Sequence, residues 1–512
     1  MNYILSYFTN QGKLLSRVWS VAIILRLVAA LFSQGYEMID DHYLAIEPAS
    51  SWVHSENYNN WYPNEYNQVA SPQPFSYFYY FINYDLLWLE HKMGINDPQV
   101  QILGIRIVQA FWSILGLYFF VQWAKMKFVD RSGQWTPVGV FVLWFVALGG
   151  LLNAYAVHQM VEMVVIPFLL YALWQYERGN GFRAAMALGL AVGMRYQLVW
   201  IPLVIGGLMV LKAQWSQAGR WLLGFALAFG LTQIDTVLIW HQPIYQHLVD
   251  YATYNAQHSG EYPNNPFTYF SFIGYFVFPP FSLIVGYFWL KSIRKWWLKA
   301  DFWSFGVLAF LLFHVVFPNR QERFLLPAVP LFIGLAGVYL SEYSQVWSER
   351  RAKVLNNLLA VSLYLYLLVG VVFSFNYGKE GMVESCYYLY KQKDYQNVWV
   401  DNADGDGPIY IPLHYTGKFT HQFSSHGQTN LKGMVEQLSS FPTYSPERLP
   451  YVQPNYLWIV SHEDFARREE AFRNSGLNIS KVAEFDMGWI ERLLSRLRKK
   501  SEVRIAVYRI LS

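Results

Sequence analysis

Long apolar runs separated by short polar stretches dominate this chain, and strict alternation of apolar and polar positions is confined to its last quarter. A bilayer core takes roughly 20 mostly apolar residues per helix. Runs of that kind lie near 17–34, 100–123, 136–153, 160–176, 182–197, 199–211, 220–240, 266–290, 302–317, 324–341 and 354–375. They predict a mainly α protein, a polytopic membrane helical bundle of about 11 spans. The pair 182–197 and 199–211 is the weakest division, and a broken or tilted pair fits it equally well.

Basic residues set the orientation, because they collect in cytoplasmic loops. With the N-terminus inside, the inner loops hold Lys125, Lys127 and Arg131; Arg178 and Arg183; Lys212 and Arg220; Lys291, Arg294, Lys295 and Lys299; and Arg350, Arg351 and Lys353. The outer loops hold only Lys92, Arg320 and Arg323. This asymmetry puts residues 35–99, the 242–265 loop, the Asn319–Arg323 segment and everything after Phe375 on the far side. Lys13 and Arg17 before the first run mark a retained signal-anchor helix rather than a cleaved leader.

Two stretches depart from the pattern. Residues 35–99 form a long outer loop rich in Tyr, Trp, Asn and Pro, whose end, Phe75 to Leu89, is aromatic and moderately apolar; amphipathic helices lying in the interface explain it. After residue 375, Val398–Val400, Ile409–Ile411, Leu457–Val460 and Val503–Ile510 read as short strands. Asn430–Leu438, Glu463–Phe472 and Trp489–Lys500 read as helices between them. The chain therefore divides into a membrane domain, 1–375, and a small soluble α/β domain, 376–512, on the outer side.

Composition narrows the class. Charged residues are 14% and aromatics 19% of the 512 residues, which suits many membrane–water boundaries. The mean hydropathy is only slightly positive, so a sizeable polar part lies outside the bilayer. A net charge of +4 spread along the chain gives no case for nucleic acid. The single cysteine, Cys386, excludes an intramolecular disulfide and a cysteine-based metal site.

Four clusters could carry chemistry, since ionisable groups at a bilayer edge need a reason to be there. The first is Glu37-Met-Ile-Asp40-Asp41-His42-Tyr43, just after the first span: one of two adjacent carboxylates is poised as a base, or the pair is an acidic turn. The second is His158-Gln159-Met-Val-Glu162, where the histidine is catalytic or a hydrogen-bonded structural residue. The third is Arg195, which needs an anionic partner, a carboxylate or a ligand phosphate. The fourth is Phe317-Pro-Asn-Arg320-Gln-Glu322-Arg323-Phe-Leu-Leu-Pro327, with His314 one turn earlier. It breaks the positive-inside trend, and phosphate binding would account for that. All four fall on one face of the membrane.

At these residues the chain resembles the multispanning mannosyltransferases of asparagine-linked-glycan and GPI-anchor assembly, glycosyltransferase family 22 of the GT-C class. Asp40-Asp41-His42-Tyr43-Leu44-Ala45-Ile46-Glu47-Pro48-Ala49-Ser50 is similar to that family's D-E-x-Y-Q-S-L-E-P-A-H motif, with Met38 and Ile39 in place of the preceding His and Pro. Asn319-Arg320-Gln321-Glu322-Arg323-Phe324-Leu325-Leu326-Pro327-Ala328-Val329-Pro330-Leu331 is similar to its H-K-E-E-R-F-L-x-P-x-x-P-L segment. Gly189-Leu190-Ala191-Val192-Gly193-Met194-Arg195 matches a G-L-A-x-x-x-R setting, and Glu162 the glutamate of an N-S-L-E-like segment. The likeness covers residues 15–345.

The resemblance implies an inverting glycosyltransferase that moves a hexose, mannose in the family, from a polyprenyl-phosphate donor to a glycan or lipid-linked acceptor. Asp40 would be the general base and Asp41 its supporting acid. Glu47, His158, Glu162, Arg195, His314, Arg320, Glu322 and Arg323 would bind substrate, with Arg195, Arg320 and Arg323 on the leaving phosphate. It implies no cofactor and no metal, although Asp40, Asp41 and Glu47 together could hold a cation. The departures from the motifs point to a bacterial relative in the inner membrane, with its site facing the periplasm. The alternatives are a transporter or flippase of lipid-linked glycans, or a protein O-glycosyltransferase.

Overall fold

The computed structural model describes residues 11–58, 76–258, 280–317, 320–405, 407–427, 429–438, 449–462, 465–497, 499 and 501–511. Contacts group the chain into two compact units. One comprises Met1–Leu31, Pro74–Tyr79 and Arg106–Phe375; the other comprises Phe32–Gln73, Tyr80–Ile105 and Asn376–Ser512. The grouping differs from a simple cut after residue 375, because most of the first loop falls with the C-terminal segment.

The first unit is helical. Every predicted apolar run carries helix where it is described, the 266–279 part of one run lying outside the described residues. Leu14–Phe32, Pro98–Phe128 and Glu349–Phe373 are the three helices among the described residues long and apolar enough to cross a membrane. Pro137–Leu148, Gly181–Met194, Tyr196–Leu211, Phe281–Lys291, Phe302–Val316 and Ala328–Ser344 are apolar but shorter. Local breaks explain the difference from uninterrupted runs. The 136–153 run stops at Gly149-Gly150, where φ is 67° and 50°, values that glycine adopts without a Cβ penalty. The 160–176 run divides into Val161–Val164 and Ile166–Glu177, the second carrying Pro167 in its first turn, and the 220–240 run into Trp215–Leu231 and Ile234–Leu238.

The doubtful pair at 182–211 is a broken one. Arg195 has extended backbone, φ −142° and ψ 94°, between Gly181–Met194 and a 3-10 turn, Tyr196–Val199, that leads into Trp200–Leu211. Close approach to Trp215–Leu231 holds the first of these helices in place. A Cβ on Gly193 would lie 1.9 Å from Thr232 Oγ1, and one on Gly189 2.6 Å from the Phe225 carbonyl oxygen. Small residues are what permit such contact between apolar helices. Sequence reasoning passed over Arg26, buried in Leu14–Phe32. Its guanidinium donates to Ser113 Oγ at 2.7 Å and to the Ala147 carbonyl at 2.8 Å, a structural way to satisfy an intramembrane charge.

The second unit is α/β. Its first strands, β1 (Gln34–Gly35) and β2 (Tyr377–Gly378), pair in parallel with Gln34 opposite Tyr377 and Gly35 opposite Gly378. Gly35 has φ 69°, and a Cβ there would meet the Gly378 oxygen at 1.9 Å, so no other residue fits. The main sheet contains β3 (Val398–Asn402), β4 (Phe423–His426), β5 (Tyr456–Ser461), β6 (Ile479–Asp486) and β7 (Arg504–Ile510). Its order is β4-β3-β5-β7-β6; β4, β3 and β5 run parallel, and β7 runs antiparallel to β5 and β6.

Side-chain alternation gives this sheet two apolar faces. Val398, Val400, Trp458, Val460, Ile505 and Val507 pack on one side with Ile46, Ala49 and Leu87 of the first loop, with Ile102 of Pro98–Phe128 and with Cys386. Trp399, Leu457, Ile459, Ala506 and Tyr508 pack on the other with Phe465 and Phe472. Three of the four predicted strands and all three predicted helices are present within a few residues. The predicted strand Ile409–Ile411 is instead a segment without regular secondary structure, with Tyr410 64% exposed. Pro408 and Pro412 on either side have no N–H to offer a ladder.

Candidate functional site

The predicted site residues fall into two clusters, one in each unit. In the second unit, Asp40 and the motif after it lie on one helical stretch that contains a π turn, Asp41–Ile46, before continuing as Glu47–Val53 with Pro48 near its start. A π turn adds a residue to the helical register, and such turns recur at functional sites. Here it turns Asp41, His42, Ala45 and Ile46 inward, whereas Asp40 is half-buried.

Beneath it Glu47, with no exposed surface, has both oxygens engaged. His42 Nε2 is 2.7 Å from Oε1, and the backbone N–H of His414 donates to Oε1 and Oε2 at 3.1 and 3.0 Å. The His414 ring continues the network, with Nδ1 2.8 Å from Ser50 Oγ and Nε2 3.2 Å from the Pro98 carbonyl oxygen. His42 lies between the rings of Tyr36 and Tyr415, at 4.7 and 5.3 Å and nearly parallel to both. Burial pushes both imidazoles down to about 3 and the Glu47 carboxyl well above its usual range. Both shifts have the same cause, since a dry interior disfavours the charged form of each group. Glu47 thus orients the turn that carries Asp40 and Asp41. His414 escaped sequence reasoning because it is 367 residues from Glu47 in the chain, in a Pro-Leu-His-Tyr turn with no pattern of its own.

In the first unit, Glu162, Arg195 and Arg323 come together. Arg195 Nη1 donates to Glu162 Oε1 at 2.9 Å, and Arg323 Nε lies 3.5 Å from the same oxygen. Both guanidinium groups lie over the Phe324 ring, 4.8 and 5.7 Å from its centroid, a cation–π arrangement. His314 meets that ring edge-on at 6.0 Å. Glu162 is 1% and Arg195 8% exposed. Two cations share one carboxylate, and among the described residues Arg195 Nε, Arg195 Nη2 and Glu162 Oε2 have no hydrogen-bond partner. The open donors of Arg195 suit an anion with several oxygens.

The remaining predicted residues stand apart from this group. Arg320 donates through Nε and Nη2 to the Val315 carbonyl at 3.2 and 2.8 Å, closing the C-terminal end of Phe302–Val316 as basic residues do there. Glu322 is exposed. His158 is buried and feels the charge of Arg106. Asn319 of the motif lies outside the described residues. Among the described residues no group of three or more His, Cys, Asp or Glu side chains could hold a metal ion, and both Glu47 oxygens are already occupied.

The helical bundle and its α/β companion have the architecture of a GT-C glycosyltransferase. The chain belongs to the Alg9-like mannosyltransferase family, whose model matches residues 17–397. Among solved structures it is similar to ArnT from Cupriavidus metallidurans bound to undecaprenyl phosphate, at 13% identity and TM-score 0.59 over 96% of this chain and 97% of that one. It is similar also to the oligosaccharyltransferase of Archaeoglobus fulgidus in complex with Zn and sulfate, at 11% identity and TM-score 0.51 over 89% and 69%. The archaeal enzyme AglB, in complex with an inhibitory peptide and a dolichol-phosphate, matches at 10% identity and TM-score 0.50 over 86% and 69%. At these identities the likeness is one of fold. No curated protein matches the sequence.

Proposed function

We propose that this glycosyltransferase moves a hexose, mannose by family, from a polyprenyl-phosphate donor to a glycan or lipid-linked acceptor, inverting the anomeric centre. The acceptor hydroxyl gives its proton to the Asp40 carboxylate as its oxygen bonds to the anomeric carbon. The bond from that carbon to the phosphate oxygen breaks, and polyprenyl phosphate departs with the electron pair. Phosphate is a good leaving group, so the protein's task is to stabilise its charge, which is the work of Arg195 and Arg323. Asp41 supports the base. The open donors of Arg195 beside the buried Glu162 are the observation that carries this reading. The lipid phosphates present in the ArnT and AglB structures support a donor of that class. The apolar runs support a bundle of about 11 crossings, and the Lys/Arg asymmetry supports residues 376–512 and both clusters on the outer, periplasmic side of a bacterial inner membrane.

Asp40→Asn tests the base. General-base removal lowers turnover by roughly 10²- to 10⁴-fold, so transfer from a labelled polyprenyl-phosphate sugar in membranes should fall by that factor with donor KM nearly unchanged. Turnover at the wild-type rate rules Asp40 out.

A further inference from the structure

The helix Trp489–Leu497 in the second unit is amphipathic in an unusual sense, because part of its apolar face has no protein cover. Ile490 is buried in its unit, at 3% exposure. Trp489, Leu493 and Leu497, spaced i, i+4, i+8 and so aligned in one stripe, are 51%, 49% and 72% exposed. Three residues further round from two of these come Arg492 and Arg496, and the sequence continues Arg498-Lys499-Lys500. Basic residues therefore flank an exposed stripe of Trp and Leu, the composition of a helix that lies in a membrane interface. Glu502 is 3.7 Å from Arg492 Nε and 2.8 Å from Arg496 Nε, and Asp486 is 3.5 Å from Arg492. These carboxylates offset two of the cations, and Lys499 has no carboxylate partner among the described residues.

We propose that this helix docks on the surface of the bilayer, with Trp489, Leu493 and Leu497 inserted at headgroup depth and the flanking cations on anionic phospholipid. The sequence from 486 to 502 keeps a basic surplus, with Arg492, Arg496, Arg498, Lys499 and Lys500 against Asp486, Glu491 and Glu502, and that charge selects anionic lipid over a second protein. The membrane is also close at hand along the chain: the long apolar helix Glu349–Phe373 ends three residues before Asn376, where the C-terminal part of this unit begins. Such a tether makes docking intramolecular, so a short stripe of three side chains suffices where a free peptide would bind weakly.

The test uses the full-length protein in lipid nanodiscs, with Leu493→Cys or Ser495→Cys labelled by an environment-sensitive fluorophore; the native Cys386 is buried and stays unlabelled. In discs containing phosphatidylglycerol, nitroxide-bearing lipid should quench the label at 493 several-fold more than that at 495, with a blue-shifted emission at 493 alone. Replacing Arg492, Arg496 and Lys499 by Gln, or using purely zwitterionic discs, should reduce the difference at least twofold. Equal quenching at the two positions overturns the docking. A blue shift at 493 without lipid quenching overturns it in favour of a protein partner, and quenching indifferent to lipid charge overturns the anionic requirement.

Discussion

The two units each bury a carboxylate with cationic or ionisable partners, yet the two arrangements are opposites. Around Glu47 the acceptors and donors are matched: both oxygens are engaged, and His414, which donates to both, is held in turn by Ser50 and the Pro98 carbonyl. Around Glu162 they are not, because among the described residues Arg195 Nε, Arg195 Nη2 and Glu162 Oε2 have no hydrogen-bond partner. A closed network fixes geometry and has nothing left to offer a ligand. An open one holds unspent binding capacity, and its fold survives the loss of one member. The first is built to position, the second to bind.

Removing the centre of the closed network should have the larger effect. Glu47→Ala leaves the His414 N–H and the His42 ring without their acceptor in a dry interior, a loss of about 3 kcal/mol or more. Thermal unfolding of the second unit, followed by amide exchange in β3 and β5, should shift down accordingly, whereas Glu47→Gln should recover part of the loss by keeping one acceptor. If Glu47→Ala unfolds like the wild type and loses activity alone, Glu47 touches substrate and the contrast fails.

Arg195→Ala should do the reverse. It leaves Glu162 with Arg323 still beside it, so the fold should tolerate it. Losing a charge-assisted contact to a phosphate is worth roughly 1.5–3 kcal/mol, or about 10- to 100-fold in donor KM. A fall in stability with unchanged donor KM would make Arg195 a structural salt-bridge partner and nothing more.

The same contrast explains what could be read from the sequence. Apolar runs are local and dense, so the helices of the first unit were legible, as were Arg195 and Arg323, whose charges stand out against apolar neighbours. Where a helix breaks was less legible, because the Gly149-Gly150 and Arg195 breaks depend on close packing and on ion pairing across the bundle. The strands β4 and β6 went unread for another reason. β6 is an edge strand with mostly solvated side chains, Lys481 and Glu484 among them, and shows no apolar run. Glu47 looked like one more site carboxylate, since nothing near it in the chain announces that His414 completes its coordination.

The smallest effect expected is also the sharpest test of the closed network, since it depends on the histidines being neutral when folded. His42 and His414 titrate near 3 in the native state against an ordinary 6.5, so between those values the unfolded chain binds more protons. Their contribution to stability is complete above pH 6.5 and is lost as pH falls towards 3. Glu47, raised well above its ordinary 4.5, acts in the opposite sense: the native state retains its proton, and its contribution fades as pH rises past 4.5. Below 6.5 the two histidines outweigh Glu47, so stability falls on the acid side. Amide exchange in β3 and β5 from pH 4 to 8 should trace that acid limb, and His414→Asn should make it shallower. An acid limb unaltered in that variant would mean that His414 is already charged in the folded protein, and that the network is not closed.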